Sequence, residues 1–197
     1  MTYSFESPKV FDKLRIPEDN VLRQVITISN PLGEDYSIMR TSTLNGMLSS
    51  LATNYNRRNK DVRLYELGNV YLPKALPLTE LPNERTMFTL GMYGTGDFFD
   101  MKGVCEEFFE KIGMKKKMEY DPVSGKPFLH PGRQADMVYE GTVVGYLGEV
   151  HPLVPGRQTV SYNIQKHQLL NSIPSPSRPF KIFFIAAEIS LSSRVLS

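Results

Sequence analysis

A single cysteine, Cys105, occurs in 197 residues. A lone thiol excludes an intrachain disulfide and a cysteine-based zinc site, and such sparing use points to a reducing compartment. No run of about 18 apolar residues is present, which argues against a membrane-spanning helix, and the first residues lack the apolar core of a signal peptide. A cytoplasmic location is therefore expected. An excess of one charge is also missing. Lys and Arg number 23 against 21 Asp and Glu, a net charge of +2, too small to imply nucleic-acid or acidic-membrane binding by itself. The chain lacks G-x-x-x-x-G-K-[ST], G-x-G-x-x-G and G-x-S-x-G. The run Gly91-Met-Tyr-Gly-Thr-Gly96 accordingly reads as a strand end and a turn, and no serine stands out as a nucleophile. His130, His151 and His167 have no metal-ligand spacing, and no repeat of fixed period is visible.

What remains is a chain with ten Tyr and eleven Phe, long enough for a substantial core. Residues 2–5 read as a short strand, and Ser7-Pro8 opens a brief helix through Leu14. Val25-Ile-Thr-Ile28 reads as a strand ended by the turn Asn30-Pro-Leu-Gly33. Leu44, Met47, Leu48, Leu51 and Tyr55 recur at helical spacing and predict a helix over 43–58. Residues 62–72 carry apolar side chains on both alternating faces, as in a central strand covered on both sides. A proline-rich excursion follows over 73–82, then a strand over 87–93. Asp100 is expected to cap a second helix over 100–112, with Met101, Val104, Cys105, Phe108 and Ile112 on its buried face and Gly113 ending it. Glu140-Gly141 joins strands 135–139 and 142–148 as a two-residue hairpin. The predicted class is α+β: an antiparallel or mixed sheet with both helices on one face.

Several polar residues carry competing readings. His130 and Arg133 form either a ligand-binding pair or a turn-stabilising His beside a surface Arg, the second being favoured. Asp97, Asp100, Glu106 and Glu107 suggest a divalent cation, but hard cations need oxygens converging on one point, and Asp100 is better used as a cap. Arg57, Arg58, Lys60 and Arg63 are suited to a phosphate backbone or, more simply, form a solvated helix end. Glu66 shares a strand face with apolar neighbours, and once buried it needs a partner. Arg40, Arg63 and Arg85 are the candidates.

Four blocks then occur in order across residues 2–154: Val62-Arg-Leu-Tyr-Glu-Leu-Gly-Asn-Val-Tyr71, Asp97-Phe-Phe-Asp-Met-Lys-Gly103, Pro127-Phe-Leu-His-Pro-Gly-Arg133 and Gly145-Tyr-Leu-Gly-Glu-Val-His-Pro152. Together they resemble the bacterial-type phenylalanyl-tRNA synthetase beta subunit family, in its module built like a class II synthetase core. In that family the catalytic alpha pattern runs Leu-Arg-Thr-His-Thr, Gly-Arg-Val-Tyr-Arg, Asp-Leu-Lys-Gly, Phe-Thr-Glu-Pro-Ser-Ala-Glu and a closing His-Pro. This chain has Met39-Arg-Thr-Ser-Thr43, Gly68-Asn-Val-Tyr-Leu72, Asp100-Met-Lys-Gly103, Phe128-Leu-His-Pro-Gly132 and His151-Pro152. Leu72 stands where the resemblance expects an ATP-gripping Arg, and His130 stands where it expects a magnesium-linked Glu. No Gly-x-Gly-x-x-Arg stretch follows the hairpin.

The resemblance implies a catalytically silent module over residues 1–154, with no catalytic, cofactor-binding or metal-binding residue of its own. ATP and magnesium would be used by the full complex, a heterotetramer of two alpha and two beta chains that charges tRNA(Phe) with phenylalanine. The helix around Leu44–Tyr55 serves either as the pairing element toward alpha or as an intramolecular core helix. Two rival readings are a free-standing synthetase-like ligase and a non-enzymatic peptide- or RNA-binding module. Residues 155–197 do not match the resemblance and read as a divergent tail, with an abrupt apolar run at Phe180-Lys-Ile-Phe-Phe-Ile-Ala-Ala187.

Overall fold

The computed structural model describes residues 2–154 and 185–190. In chain order its elements are β1 (Phe5–Glu6), α1 (Val10–Lys13), β2 (Ile38–Met39), α2 (Leu44–Asn56), β3 (Val62–Leu72), β4 (Asn83–Tyr93), α3 (Phe98–Lys111), β5 (Glu119–Asp121), β6 (Leu129–Tyr139), β7 (Thr142–Val150) and β8 (Ile185–Ser190). Strands β1 and β2 pair with each other, and the other six form one sheet in the order β3-β4-β8-β7-β6-β5. Every pairing between these strands is antiparallel, as the α+β reading expects. No helix among the described residues is long and apolar enough to cross a membrane.

Local chemistry explains several elements directly. The apolar stripe of α2 is buried as spaced, with Leu44, Met47, Leu48 and Leu51 all in the core. Arg58 ends that helix at φ 63°, its N–H bonding the Tyr55 carbonyl while Asn59 N–H bonds the Asn54 carbonyl. Glu140 and Gly141 both take positive φ, at 50° and 78°, the requirement of a two-residue turn that follows the twist of its strands. Gly113 likewise turns at φ 90° to stop α3.

Four expectations are corrected. First, Asp97 rather than Asp100 caps α3. Its carboxylate accepts from the Phe99 and Asp100 amides, and Asp100 reaches back to the Asp97 amide in a reciprocal box. The buried face shifts accordingly to Met101, Cys105 and Phe109, leaving Phe108 half-buried and Val104 exposed. Second, residues 25–28 make only an isolated bridge from Thr27 to Ile38, because β2, their partner, is two residues long. Third, the two helices lie on opposite faces. Gly91 and Tyr93 of β4 face α2, Gly91 being so close that a Cβ there would sit 2.7 Å from the Met47 Cγ. The alternate residues Phe88, Leu90 and Met92 pack with Met101, Cys105 and Phe109 of α3. Successive strand residues point to opposite faces, so a strand apolar on both sides needs cover on both. Fourth, β3 is an edge strand. Tyr65 and Leu67 are 72% and 52% exposed, at the edge of the face that α3 covers over β7 and β8.

The apolar run near the C-terminus contributes Ile185, Ala186 and Ala187 to β8, which fills the gap between β4 and β7. Residues 185–190 thus belong to the same sheet as β3 to β7. Residues 155–184 and 191–197 lie outside the described residues.

Truncation should separate the two neighbouring phenylalanines. Phe109→Ala is expected to cost about 3–5 kcal/mol and Leu48→Ala about 2–5 kcal/mol, the sum of lost transfer energy and residual cavity. Phe108→Ala should cost clearly less than Phe109→Ala. Urea unfolding midpoints of the three variants check the order.

Candidate functional site

Two stretches of the resemblance, residues 39–43 and 62–72, meet at a buried ion pair. Arg40, just after β2, reaches Glu66 on β3 with 3.3 Å between Nη1 and Oε1, and both side chains are almost fully enclosed. Arg40 Nη1 also donates to Thr2 Oγ1 at 2.8 Å, and Nε donates to the Asn69 carbonyl at 2.8 Å. The Thr2 amide donates to Glu66 Oε1 at 2.9 Å, and the Thr2 hydroxyl lies 2.8 Å from both carboxylate oxygens. Gly68 makes the room, because a Cβ there would sit 2.2 Å from Arg40 Nη2. Arg40 is therefore the partner among the three candidates. Burial pushes the Glu66 carboxyl up, but the Thr2 amide and hydroxyl and the Arg40 guanidinium outweigh it and hold it below its ordinary value.

Nearby, the Thr43 and Thr89 hydroxyls hydrogen-bond to each other in full burial, tying the start of α2 to β4. Met39-Arg-Thr-Ser-Thr43 and Gly68-Asn-Val-Tyr-Leu72 are thus joined through Arg40 by packing and hydrogen bonds.

A cleft of about 570 Å³ opens at the start of α3, between Phe98, Phe99, Tyr120, Arg133 and Glu149. Arg133 Nη1 lies 2.6 Å from Glu149 Oε2, and the Glu149 side chain is buried while Arg133 is partly exposed. The His130 imidazole is turned to the backbone, its Nδ1 accepting from the Gly132 amide at 3.1 Å. His151 does the same for the Leu153 amide, and His167 lies outside the described residues. Asp97 and Asp100 are used by the helix cap, while Glu106 and Glu107 pair with Lys102 and Lys111 along α3. Among the described residues no three or more His, Cys, Asp or Glu gather to hold a metal ion. Burial raises the Cys105 thiol to about 12, which leaves it unreactive.

Leu72 and His130 are not brought together. Leu72 ends the edge strand opposite Asn83. His130 adjoins the Leu129–Val150 pair, close to the row that leads through Glu149, Ile185 and Met92 to Arg63. Three strands and, along β3, on the order of 30 Å separate their positions. Sequence reasoning missed Glu149 as the partner of Arg133, although a glutamate in the apolar run Gly145-Tyr-Leu-Gly-Glu-Val150 was a signal. It also missed Thr2, which carries no such mark.

Removing one half of the Arg40–Glu66 pair should be costly. Arg40→Met or Glu66→Gln is expected to lose about 3–5 kcal/mol, and the double replacement by apolar residues much less. Glu66 has a depressed folded value, so its contribution is present above its ordinary value near 4.5 and lost as pH falls through the folded value. Stability of the native chain should drop along that acid limb, and Glu66→Gln should flatten the drop. Denaturant unfolding across pH measures both.

The Phenylalanyl tRNA synthetase beta chain CLM domain family matches residues 1–164 by its sequence model. The phenylalanine–tRNA ligase beta subunit of Clostridium acetobutylicum is 50% identical over 152 residues, 77% of this chain and 19% of the relative. That of Clostridium tetani is 45% identical over the same shares, and that of Moorella thermoacetica is 38% identical over 77% of this chain and 20% of its own. The chain thus spans about a fifth of the length of these curated relatives. A crystal structure of pyrrolysyl-tRNA synthetase from Desulfitobacterium hafniense aligns over 100% of this chain and 61% of that one, with TM-score 0.68 at 15% identity, a likeness of fold. By family match and identity, this chain belongs to the phenylalanyl-tRNA synthetase beta chain family and carries its CLM domain on a class II synthetase-like fold.

Proposed function

We propose that the chain acts as a catalytically silent scaffold within a phenylalanine–tRNA ligase. In this reading it supports an alpha subunit that uses ATP and magnesium to charge tRNA(Phe) with phenylalanine. The complex is a cytoplasmic heterotetramer of two alpha and two beta chains.

One observation carries the reading: the residues shared with the synthetase pattern are consumed by structure. Arg40 neutralises Glu66 and Asp100 completes a helix cap, while His130, at the place where the pattern has Glu, holds a turn. Adenylation builds negative charge as a carboxylate meets the α-phosphate of ATP, and a planar Arg fork suits that charge. Leu72 offers no such group at the expected place. Arg133 is already offset by Glu149. The apolar stripe of α2 is turned inward, so α2 offers a partner its polar side, including Ser49 and Thr53.

The isolated chain should leave ATP–pyrophosphate exchange at background with phenylalanine and magnesium present. The Arg-to-Leu difference alone is expected to lower the rate about 100- to 1,000-fold. Co-purification with a cognate alpha subunit is the positive test. Exchange well above background that disappears on changing His130 or Arg133 would favour a free-standing ligase instead.

A further inference from the structure

Among the described residues, strand β3 leaves part of its outer edge unpaired. Its register with β4 runs unbroken from the Val62–Tyr93 pair to the Leu72–Asn83 pair. In an antiparallel ladder, alternate residues turn both N–H and C=O away from the partner strand. Tyr71 donates outward to the Arg40 carbonyl, and the Asn69 carbonyl accepts outward from Arg40 Nε. By the same alternation Arg63, Tyr65 and Leu67 present their N–H and C=O groups outward. Beyond the β3–β4 ladder, no backbone hydrogen bond to these three occurs among the described residues. Among the described residues, segment 39–41 therefore covers one end of the edge and leaves 63–67 open.

The side chains beside that opening are apolar and uncovered. Tyr65 and Leu67 are largely exposed. Tyr65 lies against Phe88, with ring centroids 6.2 Å apart, and Phe88 stacks on Phe108 at 4.2 Å. Val104 of α3, exposed as well, lies one helical turn from Phe108. Protein edges are usually blunted by proline, bulges or charge, whereas segment 63–67 has no proline or bulge, and Arg63 is its only outward charge. Arg57, Arg58, Lys60 and Arg63 all stand at this end of β3, exposed and without an ion pair among the described residues.

We infer that β3 is a strand-addition site, taking an extended segment of another polypeptide in which apolar residues alternate and carboxylates lie toward Arg63 and Lys60. Main-chain bonds at Arg63, Tyr65 and Leu67 would supply affinity, and the aromatic ledge would select the alternate side chains. Charge decides between occupants. The run from Arg57 to Arg63 carries four cations against one carboxylate, Asp61, which accepts from the Thr95 hydroxyl; an acidic segment neutralises that surplus of positive charge and a second copy of this chain does not. The inference does not rest on the ligase reading, so its failure would leave co-purification with an alpha subunit untouched.

The probe is a blocked synthetic peptide of alternating valine and threonine with two glutamates at one end, titrated into the chain. Amide hydrogen exchange should slow at Arg63, Tyr65 and Leu67, with no comparable change on β5. Tyr65→Lys should weaken binding at least about tenfold, the scale for losing an aromatic anchor, without moving the unfolding midpoint. Arg63→Glu should shift preference to a peptide ending in lysines. Unchanged exchange at saturating peptide, or binding indifferent to Tyr65→Lys, would overturn the proposal. So would slowing that depends on chain concentration without peptide, which would identify a second copy as the occupant.

Discussion

Strand β4 has to be kept from water on both sides, because Gly91 and Tyr93 lie on one face and Leu90 and Met92 on the other. The two apolar clusters form around this requirement. Helix α2 closes down on the first face, its approach permitted by the missing side chain at Gly91. Helix α3 closes the second, with Met101 and Cys105 fully buried. Strand β8 completes the arrangement by pairing the free side of β4 and burying Ile189. A residue fully buried in this way contributes roughly 1.5–3 kcal/mol, so the sheet and both helices stand or fall together.

The Arg40–Glu66 pair operates inside this frame as a positional device. A buried ion pair adds little net stability, since desolvation cancels most of the attraction. What it does is relate three stretches distant in sequence: Thr2, the end of β2 and the start of the Gly68-Asn-Val-Tyr-Leu72 block. The same logic holds at Asp97 and Asp100, whose carboxylates are spent on α3 amides. These blocks match the synthetase pattern because they build its scaffold. Arg40 and Asp100, charged residues that these blocks share with the pattern, are held by Glu66 and by the Asp97 amide.

Pairing is uneven over the molecule, and the unevenness has a direction. Among the described residues, every buried polar side-chain atom is satisfied, while the β3 edge carries open main-chain groups, an aromatic ledge and cations without an ion pair. Within the cleft near α3, Glu149 compensates Arg133 and leaves an aromatic wall with little net charge.

The bounds of β3, the stripe of α2, the hairpin turn at Glu140-Gly141 and the stop at Gly113 were legible in the sequence. Each follows from periodicity or backbone freedom within a few residues. Whether Asp97 or Asp100 caps α3 was not, since both are three or fewer residues from the first turn and only the backbone geometry separates them. Strand order, the opposite placement of the two helices, the edge position of β3 and the insertion of Ile185–Ser190 at the centre of the sheet belonged to the tertiary structure alone. Apolar alternation says that a face must be covered, but the covering element is chosen by contacts far apart in the chain. For the same reason Glu66 announced in the sequence that it needed a cation, and only the fold selected Arg40 over Arg63 and Arg85.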